Sequence, residues 1–119
     1  MSIHRLVKYL FTVLILVSYI GLVLFSISSN KEVLQKNSYW DWYRNYVSQS
    51  SKGTFVNTGT QEDPVALSES QGYGMLITLL AAQKSYTKED QFMRLFHYYK
   101  ANRISEQNTL MKWQQKKSP

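Results

Sequence analysis

Residues 68–83 read SESQGYGMLITLLAAQ, and this stretch decides the fold of the chain. From Met75 onward it is almost entirely apolar, which predicts a helix that is hydrophobic nearly all round. Such a helix has no side suited to water, so other helices must cover it on several sides. Ser68 and Gln71 stand at the spacing of a capping box, which predicts that the helix begins here. The stretch therefore predicts an inner helix of a layered, all-α domain.

Two glycines stand at the start of this helix. Gly72 and Gly74 each cost about 1 kcal/mol relative to alanine within a helix, so their missing side chains need a reason. Glycine allows a ligand or another chain to approach the backbone, and Glu69, Gln71 and Tyr73 would then border an open space. An acidic residue in the first turn is also favoured by the helix dipole alone. Functional and purely structural explanations of Glu69 both remain open at this point.

The region before this helix is predicted to contain another helix and a loop. From Tyr39 to Gln49, aromatic residues recur at helical spacing, which indicates core packing, with sugar contact by one ring as the alternative. Residues 31–37 are polar and predict a short linker, and Ser38 marks the expected helix start. Residues 50–64 are rich in Gly, Ser, Thr and Asn, which predicts a loop with a short extended piece at 54–56.

The region after the inner helix predicts an amphipathic outer helix. Thr87 and Asp90 stand at capping positions and mark its start. Its apolar stripe comprises Phe92, Leu95, Phe96 and Tyr99. We find no strand-like alternation of useful length, so the fold class predicted for this part is all-α.

Residues 1–30 differ from residues 31–119 in composition. From Leu10 to Ile27 almost every residue is apolar or small, and about 20 such residues in a helix span a hydrocarbon core ~30 Å thick. Arg5 and Lys8 precede this run, so the positive-inside rule predicts a cytoplasmic amino terminus and an extracytoplasmic remainder. We therefore predict a transmembrane anchor or signal segment within residues 1–30 and a working domain at 31–119.

Two alternatives concern this apolar segment. Small residues at 26–28 have cleavage-like spacing, so the protein is predicted either in the cell membrane with an extracytoplasmic domain or secreted. A buried core helix is the other alternative, although a helix that is apolar on all faces has no wet side in so small a domain.

The composition excludes several functions. The chain has no cysteine, which excludes thiol catalysis and cysteine-ligated metal sites. The net charge is +6, but apart from Lys116 and Lys117 the basic residues of the working domain are scattered, so we predict no nucleic-acid partner. His4 and His97 lie far apart in the sequence, so we predict neither a metal site nor a cofactor.

The string from Ser68 to Leu76 resembles the signature of glycoside hydrolase family 8, typically Ser-Glu-Gly-Gln-Gly-Tyr-Gly-Met-Leu. Eight positions match, and Ser70 stands where glycine is usual. The aromatic helix upstream resembles the opening helix of that family, and NTLMKW at 108–113 resembles its Leu-Met-x-Trp segment. The resemblance covers Tyr39 to Trp113.

This resemblance implies the first helices of an (α/α)6 barrel and a glycosidase that hydrolyses β-1,4-linked polysaccharide with inversion. It implies that Glu69 is the general acid and that Trp113 stacks on a sugar ring, with Tyr73 and Gln71 as further substrate contacts. Inversion needs a second carboxylate to activate water, roughly 6.5–9.5 Å from the acid. Glu69 must also carry its proton at working pH, which burial or a nearby carboxylate favours.

The catalytic base of the family follows an Asp-Gly-Asp-like stretch, and Asp41, Asp63 and Asp90 have no such context. We therefore expect this chain to be the amino-terminal part of such an enzyme, with its base beyond residue 119, and to be inactive and poorly folded alone.

Two functions without catalysis remain as alternatives. The chain could be a membrane-tethered protein that binds polysaccharide without cleaving it, or a small membrane protein whose helices bind a partner protein. The family acts on β-1,4-glucan, xylan and chitosan, and the sequence does not distinguish these. We expect the partner to be an extracellular polysaccharide, with the membrane contacted through residues 10–27.

Overall fold

The computed structural model describes residues 2–116, of which 63% are helical. The elements follow in the order α1 (Ile3–Tyr46), β1 (Val47–Ser50), β2 (Gly53–Val56), β3 (Val65–Leu67), α2 (Ser68–Gln83), α3 (Glu89–Ala101) and β4 (Gln114–Lys116). The predominance of helix agrees with the prediction. The strands form two small antiparallel sheets, β1–β2 and β3–β4. The sequence predicted only the extended piece at 54–56, which lies in β2. The chain divides into two compact units, residues 1–35 and 36–119.

Helix α1 contains the apolar segment. Within residues 2–116 it is the one helix whose length and composition would allow it to cross a membrane, and a signal sequence would meet the same criterion. No residue of its most apolar stretch is buried within the structure. The alternative of a core helix buried in the domain is therefore not what the structure shows.

The predicted linker at 31–37 is wrong, because α1 continues through it without a break. The segment KEVLQKN contains neither glycine nor proline, and Lys, Glu, Leu and Gln are strong helix formers. Ser38 therefore lies inside a helix and does not begin one. The helix ends at Tyr46, earlier than predicted, because the next residues pair as β1 with β2 in the register Val47 to Val56 and Ser50 to Gly53.

A small core joins four segments of the second unit. It consists of Phe55 from β2, Ala66 from β3, Tyr98 from α3 and Met111 from the segment before β4, with Tyr99 packed against it. The Phe55 and Tyr98 rings stack with their centroids 5.2 Å apart. Because these residues are distant in sequence, this core fixes the loop-rich part of the chain against the helices.

The aromatic residues at 39–43 of α1 pack within the second compact unit. Tyr39 is buried, and Trp42 and Tyr43 are half-buried, with ring contacts among all three. The indole N–H of Trp40 donates to the backbone oxygen of Tyr86, 3.1 Å away. Core packing, the first interpretation of this stripe, therefore describes these rings.

Helix α2 buries small and polar side chains and exposes large apolar ones. Its buried residues are Gln71, Gly74, Thr78 and Ala81. Its exposed large residues are Tyr73, Leu76, Ile77, Leu79 and Leu80. The sequence predicted cover on several sides, and within residues 2–116 the helix is covered along one side. The tight contact on that side depends on the small residues.

Both predicted capping boxes are wrong. The residues preceding α2 and α3 are Leu67 and Lys88, and neither helix has a side-chain capping hydrogen bond. Strand β3 runs directly into α2, so Ser68 is already helical, and the Ser70 hydroxyl donates to the Leu67 carbonyl at 3.0 Å. The Thr87 hydroxyl is buried and has no hydrogen-bond partner among the described residues.

The two glycines of α2 have different environments. A Cβ added to Gly74 would overlap the side chain of Val56 in β2 and lie 3.4 Å from the Trp42 ring. A Cβ added to Gly72 would meet nothing within 4 Å. Close packing against a strand and an indole therefore explains Gly74, while Gly72 faces open space.

We expect Gly74→Ala to lower the free energy of unfolding by about 1–3 kcal/mol, because the added methyl overpacks the contact with β2. Gly72→Ala should raise it by up to about 1 kcal/mol, because alanine restricts the unfolded chain and fits the open side of the helix. Urea unfolding of the full chain in dodecylphosphocholine micelles, followed by tryptophan fluorescence, measures both. Changes of the same sign in the two variants would contradict this account of the glycines.

Burial raises the pKa of Tyr98 to about 12, and the Tyr98 hydroxyl has no hydrogen-bond partner within residues 2–116. The unfolded chain ionises this tyrosine near its ordinary pKa of about 10, so its contribution to stability is complete below pH 10 and is lost towards pH 12. We expect a loss of about 1 kcal/mol between pH 9 and 11 from this group.

Tyr98→Phe keeps the ring stack with Phe55 and should remove this part of the pH dependence. Urea unfolding of the full chain at pH 9 and pH 11 measures it. Tyr46→Phe, at an exposed position, is the matched control and should retain the pH dependence of the original chain. The same alkaline loss in Tyr98→Phe as in the original chain would show that another group is responsible.

Candidate active site

The segment 110–113 is held next to the start of α2. Met111 is buried in the core, and Lys112 donates its backbone N–H to the Asn102 oxygen at 2.9 Å. At the next residue, the Trp113 backbone oxygen accepts the Ser68 N–H at 3.0 Å, and the pairing of β3 with β4 continues from there. The backbone of Trp113 is therefore fixed beside the first residue of α2.

Glu69 and Tyr73 lie on α2 itself, at its second and sixth residues. Residues four apart share one face of a helix, so these two side chains are neighbours along it. Both are exposed, Tyr73 to 61%. With Trp113 beside Ser68, the structure brings Glu69, Tyr73 and Trp113 to the amino-terminal end of α2.

The two aromatic side chains at this end are available to a ligand. Trp113 is 72% exposed, and the phenol ring of Tyr73 is also largely uncovered. A flat apolar ring suits the C–H face of a pyranose, so an exposed indole or phenol ring can orient a sugar. Leu110, exposed to 60%, extends the apolar character of the same segment.

Glu69 is exposed, whereas a general acid was expected to be buried or to lie beside a second carboxylate. The described aspartates occupy other contexts. Asp41 pairs with Arg44 one turn along α1, Asp63 lies in the loop before β3, and Asp90 lies in the first turn of α3. Residues 2–116 contain no group of three or more His, Asp or Glu side chains that could hold a metal ion.

Gln71 lies in the interior, in contrast to its neighbours Glu69 and Tyr73. It is fully buried, and its Oε1 accepts the backbone N–H of Val56 at 2.9 Å. Its Nε2 donates to the backbone oxygens of Thr54 at 3.1 Å and Leu95 at 2.9 Å. The carboxamide thus joins β2, α2 and α3, and substrate contact through this side chain stays a prediction.

A pattern in the sequence agrees with this role of Gln71. Gly74, Thr78 and Ala81 follow Gln71 at helical spacing and are the smaller side chains of an otherwise bulky helix. A line of small residues indicates close approach of another element. A glutamine at the end of that line is therefore expected to meet backbone groups.

Comparison with known proteins gives one informative similarity. The chain is 32% identical over 80 residues to a beta-glucanase of Niallia circulans, a match that covers 66% of this chain. The chain spans 19% of the length of that relative. No family model matches the chain, and no solved structure matches it significantly. The similarity relates the chain to a glycosidase.

We expect Gln71→Ala to lower the free energy of unfolding by about 2–4 kcal/mol, because it leaves buried backbone groups of β2 and α3 without partners. In hydrogen exchange of the full chain in micelles, the free energy of opening at the Val56 amide should fall by the same amount. Gln83→Ala, at the exposed end of α2, is the matched control and should change stability by less than about 0.5 kcal/mol. Unchanged protection of Val56 in Gln71→Ala would contradict the role given to this carboxamide.

Proposed function

We propose that this chain supplies the general acid and part of the glycan-binding surface of a glycoside hydrolase that acts on β-1,4-linked polysaccharide. The observation that carries the proposal is the backbone hydrogen bond between Ser68 and Trp113, which holds the backbone of a residue with an exposed indole next to the residue that precedes Glu69. Similarity to a beta-glucanase supports the glycan class. The order Ser-Glu at the start of α2, with Tyr73 one turn later, supports the assignment of Glu69.

In the proposed reaction, the sugar ring stacks on Trp113 and the glycosidic oxygen lies against the Glu69 carboxyl group. The bond between the anomeric carbon and this oxygen breaks, and the oxygen takes the proton of Glu69. Water adds to the opposite face of the anomeric carbon and gives its proton to a second carboxylate, which inverts the configuration. We assign no residue of this chain to that second carboxylate.

The proposed fold of the catalytic domain is an (α/α)6 barrel, with α2 as an inner helix and α3 as an outer helix. Support comes from the exposed large side chains of α2, which are the side that neighbouring inner helices would cover. Helix α3 carries its buried residues Leu95 and Tyr98 on one side, as an outer helix does.

We also propose that residues 10–27 anchor the protein in the cell membrane with residues 31–119 outside the cytoplasm. The length and apolar composition of α1 support an anchor, and Arg5 and Lys8 before it support this orientation. An enzyme held this way would meet extracellular polysaccharide at the cell surface.

A second candidate function is glycan binding without hydrolysis by a membrane-tethered protein. The exposure of Glu69 favours it, because the general acid was expected to be buried or to lie beside a second carboxylate. The exposed rings of Trp113 and Tyr73 serve binding equally well in both candidates.

The decisive experiment exchanges the matched 80 residues of the Niallia circulans beta-glucanase for those of this chain. We expect the chimera to hydrolyse β-glucan and Glu69→Gln to lower kcat by about 10²–10⁴. The loss should be far smaller on an aryl glycoside with a nitrophenolate leaving group, because that group departs without a proton. Release of reducing ends and of nitrophenolate measures the two rates.

Glu89→Gln is the matched control, since Glu89 is also an acidic residue in the first turn of a helix. It should leave both rates unchanged. Equal losses on the two substrates in Glu69→Gln, or no loss, would contradict the assignment of Glu69 as general acid. A folded chimera that binds glucan and releases no product would favour the binding function.

A further inference from the structure

A polar recess lies between the β1–β2 hairpin and the loop that precedes β3. It has a volume of about 380 Å³ and is lined by Ser48, Gln49, Ser51, Gln61 and the buried ring of Phe55, among others. Glu69, Tyr73 and Trp113 do not line it. The recess is therefore a feature separate from the candidate active site.

The loop that forms one wall of the recess is held in place by Asn57, which is 6% exposed. Its Oδ1 accepts the backbone N–H groups of Gly59 at 2.9 Å and Val65 at 3.0 Å. Its Nδ2 donates to the Thr60 oxygen at 3.1 Å, and the Thr60 hydroxyl accepts the Asp63 N–H at 2.9 Å. Because the wall is preformed, a ligand would bind without ordering this loop.

Several polar side chains around the recess have no hydrogen-bond partner among the described residues. The hydroxyls of Ser48 and Ser51 and the carboxamides of Gln49 and Gln61 make no hydrogen bond within residues 2–116. Ser50 differs, because its hydroxyl accepts the Lys52 N–H at 3.1 Å. The recess thus offers both donors and acceptors on side chains that reach the surface.

The chemistry of the lining selects a class of ligand. None of the residues that line the recess is charged, so it has no group to neutralise an anion or a cation. An apolar ligand would cover the free hydroxyls and amides without replacing their hydrogen bonds to water, which is costly. A neutral molecule dense in hydroxyl groups satisfies both donors and acceptors. The volume lies at the lower end of small-molecule sites, which suits a single sugar ring.

We propose that this recess is a second saccharide site, which binds one sugar ring of a neutral glycan through Gln49, Gln61 and the two serine hydroxyls. It would hold the polysaccharide to the protein apart from the candidate active site. The choice of a β-1,4-linked probe rests on the proposed function, whereas the recess itself is argued from its own lining.

The test uses the full ¹⁵N-labelled chain in dodecylphosphocholine micelles, a detergent without sugar groups, titrated with cellotetraose. We expect the side-chain NH₂ signals of Gln49 and Gln61 to shift in a saturable manner. The double variant Gln49→Ala/Gln61→Ala should weaken this binding at least about tenfold, as read from the backbone amide of Ser51. Gln107→Ala, an exposed glutamine outside the recess, is the matched control and should bind as the original chain does.

The Trp113 indole N–H provides an independent signal in the same titration. A shift of Trp113 with Gln49 and Gln61 unmoved would overturn the second site and leave the proposed function standing. Shifts of Gln49 and Gln61 without Trp113 would support the second site and count against the glycan contact at Trp113. An anionic oligosaccharide that binds the recess more tightly than cellotetraose would overturn the neutral ligand class.

Discussion

The packing of β2, α2 and α3 depends on one buried carboxamide. Gln71 is the side chain through which β2, α2 and α3 share hydrogen bonds, and it is fully buried. A buried backbone N–H or carbonyl group without a partner is costly, so these elements can pack only where the carboxamide meets all of them. Carboxylates and hydroxyls cannot replace it, because neither presents an acceptor and an NH₂ group side by side. The register of α2 on β2 follows from this contact.

That register also determines which side of α2 is exposed. With Gln71 and Gly74 turned towards β2, residues of the opposite side face outward, and Glu69 and Tyr73 are among the exposed ones. The sequence left open whether a ligand or another part of the chain approaches the glycines, and at Gly74 a strand and an indole approach. The exposure of Glu69 and Tyr73 is thus a consequence of internal packing on the other side of the same helix.

Much of the helical architecture could be predicted, because a helix is encoded by residues three and four apart. The apolar run after Met75 and the stripe around Leu95 both predicted helices that the structure contains. The failures have different causes. Capping at Ser68 failed because β3 leads straight into α2, and the linker at 31–37 failed because nothing in it stops a helix. Apart from the extended piece at 54–56, the short strands were missed because three or four residues carry too little alternation.

Local sequence patterns were enough to identify the apolar segment at 10–27, the presence of the helices, and a motif that singles out Glu69 through its resemblance to a family of glycosidases. It could name Trp113 only through the same resemblance. Tertiary structure alone decided that Trp113 lies beside Ser68, that Gln71 points inward, and that the loop after β2 encloses a polar recess. The cause is the separation along the chain of the residues that interact. Helical periodicity is written in neighbouring residues, whereas a hydrogen bond between positions 68 and 113 depends on how every intervening segment packs.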